Sequence, residues 1–211
     1  MNAAFLKLVQ WLSPSFPTGS FAYSHGLEAA ISSGVVCDEA SLRLWLSEVL
    51  ALGSGRQDAI FLAVAFQKDA DLGTLDALAC AMQPSAERLA ETQDQGRAFS
   101  RTVSAVTGRD LSVRCLPIAV AEAASDLDVP LSDVIGLYLH AFTSNLVSIA
   151  MRFMPLGQEA GQGVLFALHP MIAAMAAEAE TLTLHDLGNA ALGADMSSLE
   201  HETMDVRIFR T

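Results

Sequence analysis

The side chains in this sequence with the widest chemical reach are five histidines (His25, His140, His169, His185, His201) and three cysteines (Cys37, Cys80, Cys115). A zinc or nickel site needs several nitrogen or sulfur ligands converging on one point. No two histidines stand four residues apart, and His25 with Glu28, or His201 with Glu202, is a fragment of a site at most. The cysteines are odd in number, widely spaced and without a C-x-x-C pair, so no disulfide framework is expected and a reducing compartment fits. Cys37 precedes Asp38 at a helix start, where a thiolate is stabilised, but no histidine adjoins it and an unreactive cysteine is expected. The sequence holds no G-x-x-x-x-G-K-[ST], no G-x-G-x-x-G after a strand, no H-E-x-x-H and no G-x-S-x-G. The residues therefore point to no catalytic group and no resident metal.

What chemistry remains sits at loop ends and in the last residues. Tyr23 and His25 follow the turn-forming stretch Ser13 to Gly19, S-P-S-F-P-T-G. Arg152 adjoins the end of a long uncharged run, where a cation meets the negative end of a helix dipole. The final residues, H-E-T-M-D-V-R-I-F-R-T, set Arg207 and Arg210 around Ile208 and Phe209. Arginine with an aromatic is common at protein interface hot spots, whereas fraying is ordinary for last residues.

The composition suits a binding role. Hydrophobic residues make up 52% of the 211 and charged ones only 17%, so apolar surface covered by partners is expected, with poor solubility alone. A formal net charge of −12 argues against nucleic acid, whose phosphates are met by Lys and Arg. Lys7 lies in an apolar run, but Gln10 and Trp11 follow and no small-residue cleavage site appears, so a secretory signal is not expected and the cytoplasm is.

The elements that position these residues read as helices. Phe5, Leu8, Val9 and Leu12 form the stripe of a first helix, and a second is expected over about Ser20 to Ser33. Asp38 caps a third, striped by Leu42, Trp45, Leu46, Val49 and Leu50, and Ser54-x-x-Gln57 resembles a capping box for the fourth. A fifth lies around Thr74 to Met82. Ser85 to Thr107 carries Leu89, Gly96 and Val103 at seven-residue spacing, with small Gly96 allowing close approach of a neighbour. Pro117 to Leu127 follows, then Glu159 to Leu168 and Pro170 to Ala179 with a boundary or kink at Pro170, and Thr183-x-x-Asp186 capping a last short helix.

Between these, Val134 to Met151 carries no charged residue. A membrane span needs about 20 mainly apolar residues. Tyr138, His140, Thr143, Ser144, Asn145 and Ser148 fall on several faces, which hydrocarbon would penalise, so a helix at the centre of a soluble bundle is the preferred reading. The expectation is all-α: one domain over 1–211, about ten helices around a central apolar helix, with a polar tail from about 197.

Four blocks resemble the urease accessory protein family UreF: Leu8 to Glu28 with its continuation to Leu46; Q-G-R-A-F around Gly96; M-R-F-M-P-L-G-Q-E-A-G-Q, Met151 to Gln162; and Ser197 to Thr211. The resemblance implies an all-helical, non-catalytic protein needed for nickel insertion into apo-urease. It would join UreD (also called UreH) and recruit the GTPase UreG, dimerising within that complex. Nickel would be held by other components, so no cofactor is expected on this chain. By position, the implied partner-binding residues are Tyr23, Arg152, Gln158, His201, Glu202, Thr203, Arg207, Phe209 and Arg210, and the tail would order on binding. Asp205 stands where the family often has tyrosine, and Arg152 where lysine is usual, which alters hydrogen-bond geometry. Another class of reading remains: a helical carrier or enzyme enclosing an apolar small molecule, with Tyr138, His140 and Asn145 converging on it.

Overall fold

The computed structural model describes residues 2–211. Ten α-helices account for most of the chain: α1 (Ala3–Trp11), α2 (Leu27–Ser32), α3 (Glu39–Leu52), α4 (Ser54–Ala65), α5 (Leu72–Ala81), α6 (Ala86–Thr107), α7 (Leu116–Ala124), α8 (Leu131–Phe153), α9 (Gln158–Ala179) and α10 (Leu192–His201). Two 3-10 turns, Ser20–Ala22 and Leu184–Asp186, join them, and no strand occurs among the described residues. The architecture is all-α, around one continuous hydrophobic core.

Local signals set most boundaries. The Asp38 carboxylate accepts the Ser41 amide at 2.8 Å and Ser41 returns a hydrogen bond, a complete capping box for α3. Its stripe, Leu42, Trp45, Leu46, Val49 and Leu50, is buried throughout. Thr183 and Asp186 form a second reciprocal cap, over the 3-10 turn rather than a full helix. Pro170 lies inside an unbroken α9. A proline removes one amide bond to the carbonyl four residues back, here that of Phe166; both residues are exposed, so solvent can serve the orphaned oxygen.

α8 lies where the uncharged run placed it but shares the centre of the bundle. α4 packs against α3, α5, α7, α8 and α9, and eight of its twelve residues are buried, against nine of twenty-three in α8. α8 and α9 are long and apolar enough to cross a membrane by length and composition. Val134, Leu139 and Leu146 of α8 nevertheless lie in the core, and its polar groups find internal partners: Tyr138 donates to Asp58 at 2.6 Å, Thr143 to the Leu139 carbonyl at 2.7 Å and Asn145 to the Ser20 carbonyl at 3.0 Å.

The expected helix over Ser20 to Ser33 is interrupted. Tyr23 is extended, and His25 (φ 62) and Gly26 (φ 81) both adopt left-handed backbone before α2 begins. Gly26 is required twice over: its φ favours glycine, and a Cβ there would stand 2.8 Å from the backbone nitrogen of Ser198 on α10. This break turns Ser24, His25 and Glu28 toward the last residues of the chain.

Candidate functional site

The tail is docked and not frayed. Phe209 and Thr211 are buried while Val206, Arg207, Ile208 and Arg210 face out. Three glutamates hold it. Glu28 on α2 is fully buried, accepting the amides of Ile208 and Phe209 at 2.8 Å each and standing 3.1 Å from His201 Nε2. Glu87 on α6 lies 2.7 Å from His201 Nδ1 and 2.5 Å from Arg207. Glu91, one turn further along α6, accepts the Thr211 hydroxyl at 3.0 Å.

Around Thr211 the polar groups interlock. Its carbonyl accepts the Ser24 amide at 3.0 Å and the Ser24 hydroxyl, and its hydroxyl accepts the His25 amide at 3.0 Å. The His25 ring stands 2.6 Å from the Ser54 hydroxyl and 3.5 Å from Glu91. Ser54 therefore does not cap α4: Gly53 occupies the cap position without a side-chain bond, and the hydroxyl serves a partner 29 residues away. Burial, then the Arg88 charge, push the His25 ring down to about 4, so it is neutral near pH 7. Burial alone would push Glu91 up, but Arg88, then His25, outweigh it and hold the carboxyl at about 2. With His25 neutral, the Arg88 guanidinium in direct contact with Glu91 is the balancing charge.

Tyr23 and Arg152 close the far end of the tail. Tyr23 donates to Asp94 at 3.0 Å and accepts from Arg210 at 3.0 Å, while the Arg210 amide donates to the Ala22 carbonyl at 2.8 Å. Arg152 lies 5.0 Å over the Phe209 ring and donates to the Phe21 carbonyl at 3.0 Å, with Phe153 edge-on to the same ring. The structure thus brings together Tyr23, Arg152, His201, Arg207, Phe209 and Arg210. Glu202 joins them at one remove, accepting the Glu87 amide at 3.1 Å. Thr203 is exposed and bonds only locally, to the Glu200 carbonyl, and Gln158 opens α9, exposed, outside this network. The sequence pairs Glu28 with His25 only as a fragment of a metal site, and it gives no sign of Ser24, Glu87 or Glu91, because nothing local distinguishes a polar group that will be buried.

The fold also assembles what the cysteine spacing hid. Cys80 and Cys115, 35 residues apart, bring their sulfurs to 3.1 Å, beside Asp76.

A family model described as UreF matches residues 36–169. A urease accessory protein UreF of Cereibacter sphaeroides is 57% identical over 211 residues, covering 100% of both chains. The chain belongs to the UreF family. Relatives of the same name from Paracoccus denitrificans (49% identical, 100% of this chain and 97% of the relative) and Jannaschia sp. (46%, 100% and 96%) extend the likeness across genera. The UreF family model stops short of both the Leu8–Glu28 block and the tail, but the full-length relatives span them. The tail network therefore lies within the UreF likeness.

Proposed function

We propose that this urease accessory protein works as a non-catalytic scaffold in the cytoplasm, dimeric within its complex, that joins a UreD-type protein, recruits a UreG-type GTPase and presents both to apo-urease. Its surfaces position the partners so that GTP hydrolysis and nickel release coincide in the assembled complex, the nickel being held by the other components.

One observation carries the scaffold reading: the buried tail network spends its polar groups on fixing a surface. Leu192, Met196 and Leu199 on α10 are exposed at i, i+4 and i+7, and Val206 and Ile208 of the tail are also exposed. An apolar stripe of that kind suits an interaction face, and Arg207 and Arg210, a residue type enriched at interface hot spots, adjoin the exposed tail residues Val206 and Ile208 in sequence. The tail is already ordered, so partner binding meets a formed surface and avoids the cost of ordering a free segment.

The carrier reading loses its support. Tyr138 and Asn145 do line a groove of about 380 Å³, together with Trp11, Phe21, Ser148 and Gln162. However, exposed Phe21, Ser148 and Gln162 leave it open, the polar ends of Tyr138 and Asn145 are spent on Asp58 and Ser20, and His140 packs elsewhere, beside His169.

Because deleting the tail would also strip buried carboxylates of their partners, the test uses exposed positions. Ile208→Asp and Leu199→Asp should leave stability unchanged yet weaken co-purification with UreD and UreG homologues by about tenfold or more and lower nickel-dependent urease activation. Unchanged assembly and activation in both variants would overturn the role of this face.

A further inference from the structure

Away from the tail, α5 and the start of α7 converge on three side chains that the scaffold reading does not use. Asp76 and Cys80 stand at i and i+4 on one face of α5. Cys115, at the cap position of α7, sets its sulfur 3.1 Å from that of Cys80. One ligand atom from each of the three lies within 4.8 Å of the other two.

The backbone around Cys115 is built to hold it there. Asp76 Oδ1 accepts the Cys115 amide at 2.6 Å, and the Thr92 hydroxyl accepts the Leu116 amide at 3.3 Å. Gly96 on α6 lets this segment lie against the helix: a Cβ there would stand 1.9 Å from the Arg114 carbonyl oxygen. The Gln93 side-chain amide donates to the Cys80 sulfur at 3.4 Å, the kind of outer contact that orients a ligand.

We propose that Asp76, Cys80 and Cys115 form a binding site for a thiophilic divalent cation, Zn²⁺ fitting best, with three protein ligands and a fourth position open to solvent. Tetrahedral Zn²⁺ with Zn–S bonds of about 2.3 Å holds two thiolates about 3.8 Å apart. A disulfide requires about 2.05 Å. The observed 3.1 Å is nearer the first value. The carboxylate supplies a third donor beside the two sulfurs, and once both thiols ionise the three anions repel one another unless a cation sits among them. Asp76 Oδ1 is engaged by the Cys115 amide, and that contact leaves the second carboxylate oxygen for the metal. On binding, two S–H bonds break, two S–Zn bonds form and two protons pass to solvent. The donor set S₂O disfavours Mg²⁺ and Ca²⁺, which take oxygen ligands.

Cobalt(II), a spectroscopic stand-in for Zn²⁺, is the probe, titrated into the reduced full chain without oxygen. The expected result is a thiolate-to-cobalt charge-transfer band saturating at one equivalent, with proton release, abolished by Zn²⁺ and indifferent to Mg²⁺. Cys80→Ser should remove the band. Asp76→Asn, which keeps the acceptor for the Cys115 amide, should weaken binding by about tenfold or more, and Cys37→Ser should change nothing, with circular dichroism showing all three variants folded. The proposal is overturned if the native chain gives no band, if the band survives Cys80→Ser, if Asp76→Asn binds as well as the native chain, or if Cys37→Ser abolishes it. It is equally overturned if the protein as purified has lost two hydrogen atoms in intact mass and takes up no metal after reduction, the result for a disulfide pair.

Discussion

The Glu28 carboxylate and the His201 imidazole meet at 3.1 Å across 173 residues of sequence, both buried. Glu28 also holds the Ile208 and Phe209 amides, so one side chain organises both the end of α10 and the tail beyond it. Glu28→Ala removes the acceptor for two buried amides and a buried histidine. It should cost roughly 3 kcal/mol or more, read by urea denaturation, and should speed hydrogen exchange at Ile208 and Phe209 while the amides of α4 stay protected. Uniform exchange across the chain would show that Glu28 does not act through the tail.

Two buried groups oppose one another in acid. The His25 ring is pushed down from 6.5 to about 4, chiefly by burial, so the unfolded chain takes up this proton first and acidification below 6.5 favours unfolding. Asp58 is pushed up from 3.8 to about 6 by burial, against the opposing Tyr138 hydrogen bond, so the folded chain takes up that proton first and acidification below 6 favours folding. Each shift is worth roughly 3 kcal/mol over its full range. The native chain should therefore show nearly flat stability between pH 6 and 4.5, falling below 4.5, where Glu91, held at about 2, begins to lose its contribution. Asp58→Asn should lose stability steadily as pH falls from 6.5, and His25→Asn, a residue that tolerates left-handed backbone, should gain it on acidification from pH 6 to 4.5. Parallel pH profiles for all three proteins would sink this account.

Gly96 is a packing requirement. An added Cβ would meet the Arg114 carbonyl at 1.9 Å and the Leu116 nitrogen at 2.8 Å, both backbone atoms that cannot rotate away. Gly96→Ala should cost about 1–3 kcal/mol by overpacking, despite the better helix propensity of alanine. A neutral or stabilising result in urea unfolding would show that the α6–α7 contact yields easily.

Arg152 acts on its own chain. Its guanidinium over Phe209 and its bond to the Phe21 carbonyl link α8, the 3-10 turn and the tail. Arg152→Ala should cost about 1 kcal/mol and loosen Phe209, seen as faster exchange at the Arg210 amide. Arg152→Lys should recover part of the loss, since it keeps the charge without the planar stack. Equal exchange in both variants and the native chain would contradict this linkage.

Helix stripes and caps were readable in the sequence because their causes are local. Leu42 to Leu50, Asp38 and the Thr183–Asp186 cap each depend on neighbours within a few residues. Most of the readings that needed correction have distant causes. Ser54 had the spacing of a cap, but its hydroxyl belongs to His25. Ser20 to Ser33 had helical composition, but His25 and Gly26 turn left-handed to meet Thr211 and Ser198. The tail resembled a frayed end because the three carboxylates that hold it lie more than a hundred residues earlier. Cys80 and Cys115 counted as isolated for the same reason. Gly96 was the exception, legible as a site of close approach, although its neighbour is the extended lead into α7 and not another helix.

The tail also dictates an order of assembly. Thr211 pairs with Ser24 across 187 residues, and Glu28, Glu87 and Glu91 gain these hydrogen-bond partners only when His201, Arg207 and Thr211 reach them. These contacts carry among the largest loop-closure entropies the chain offers and form late. Until the tail docks, the acidic pocket lined by Glu28, Glu87 and Glu91 stays unfilled. Sealing that pocket sets Val206 and Ile208 facing outward on the finished surface, so the face proposed for partners exists only on a molecule that has finished folding.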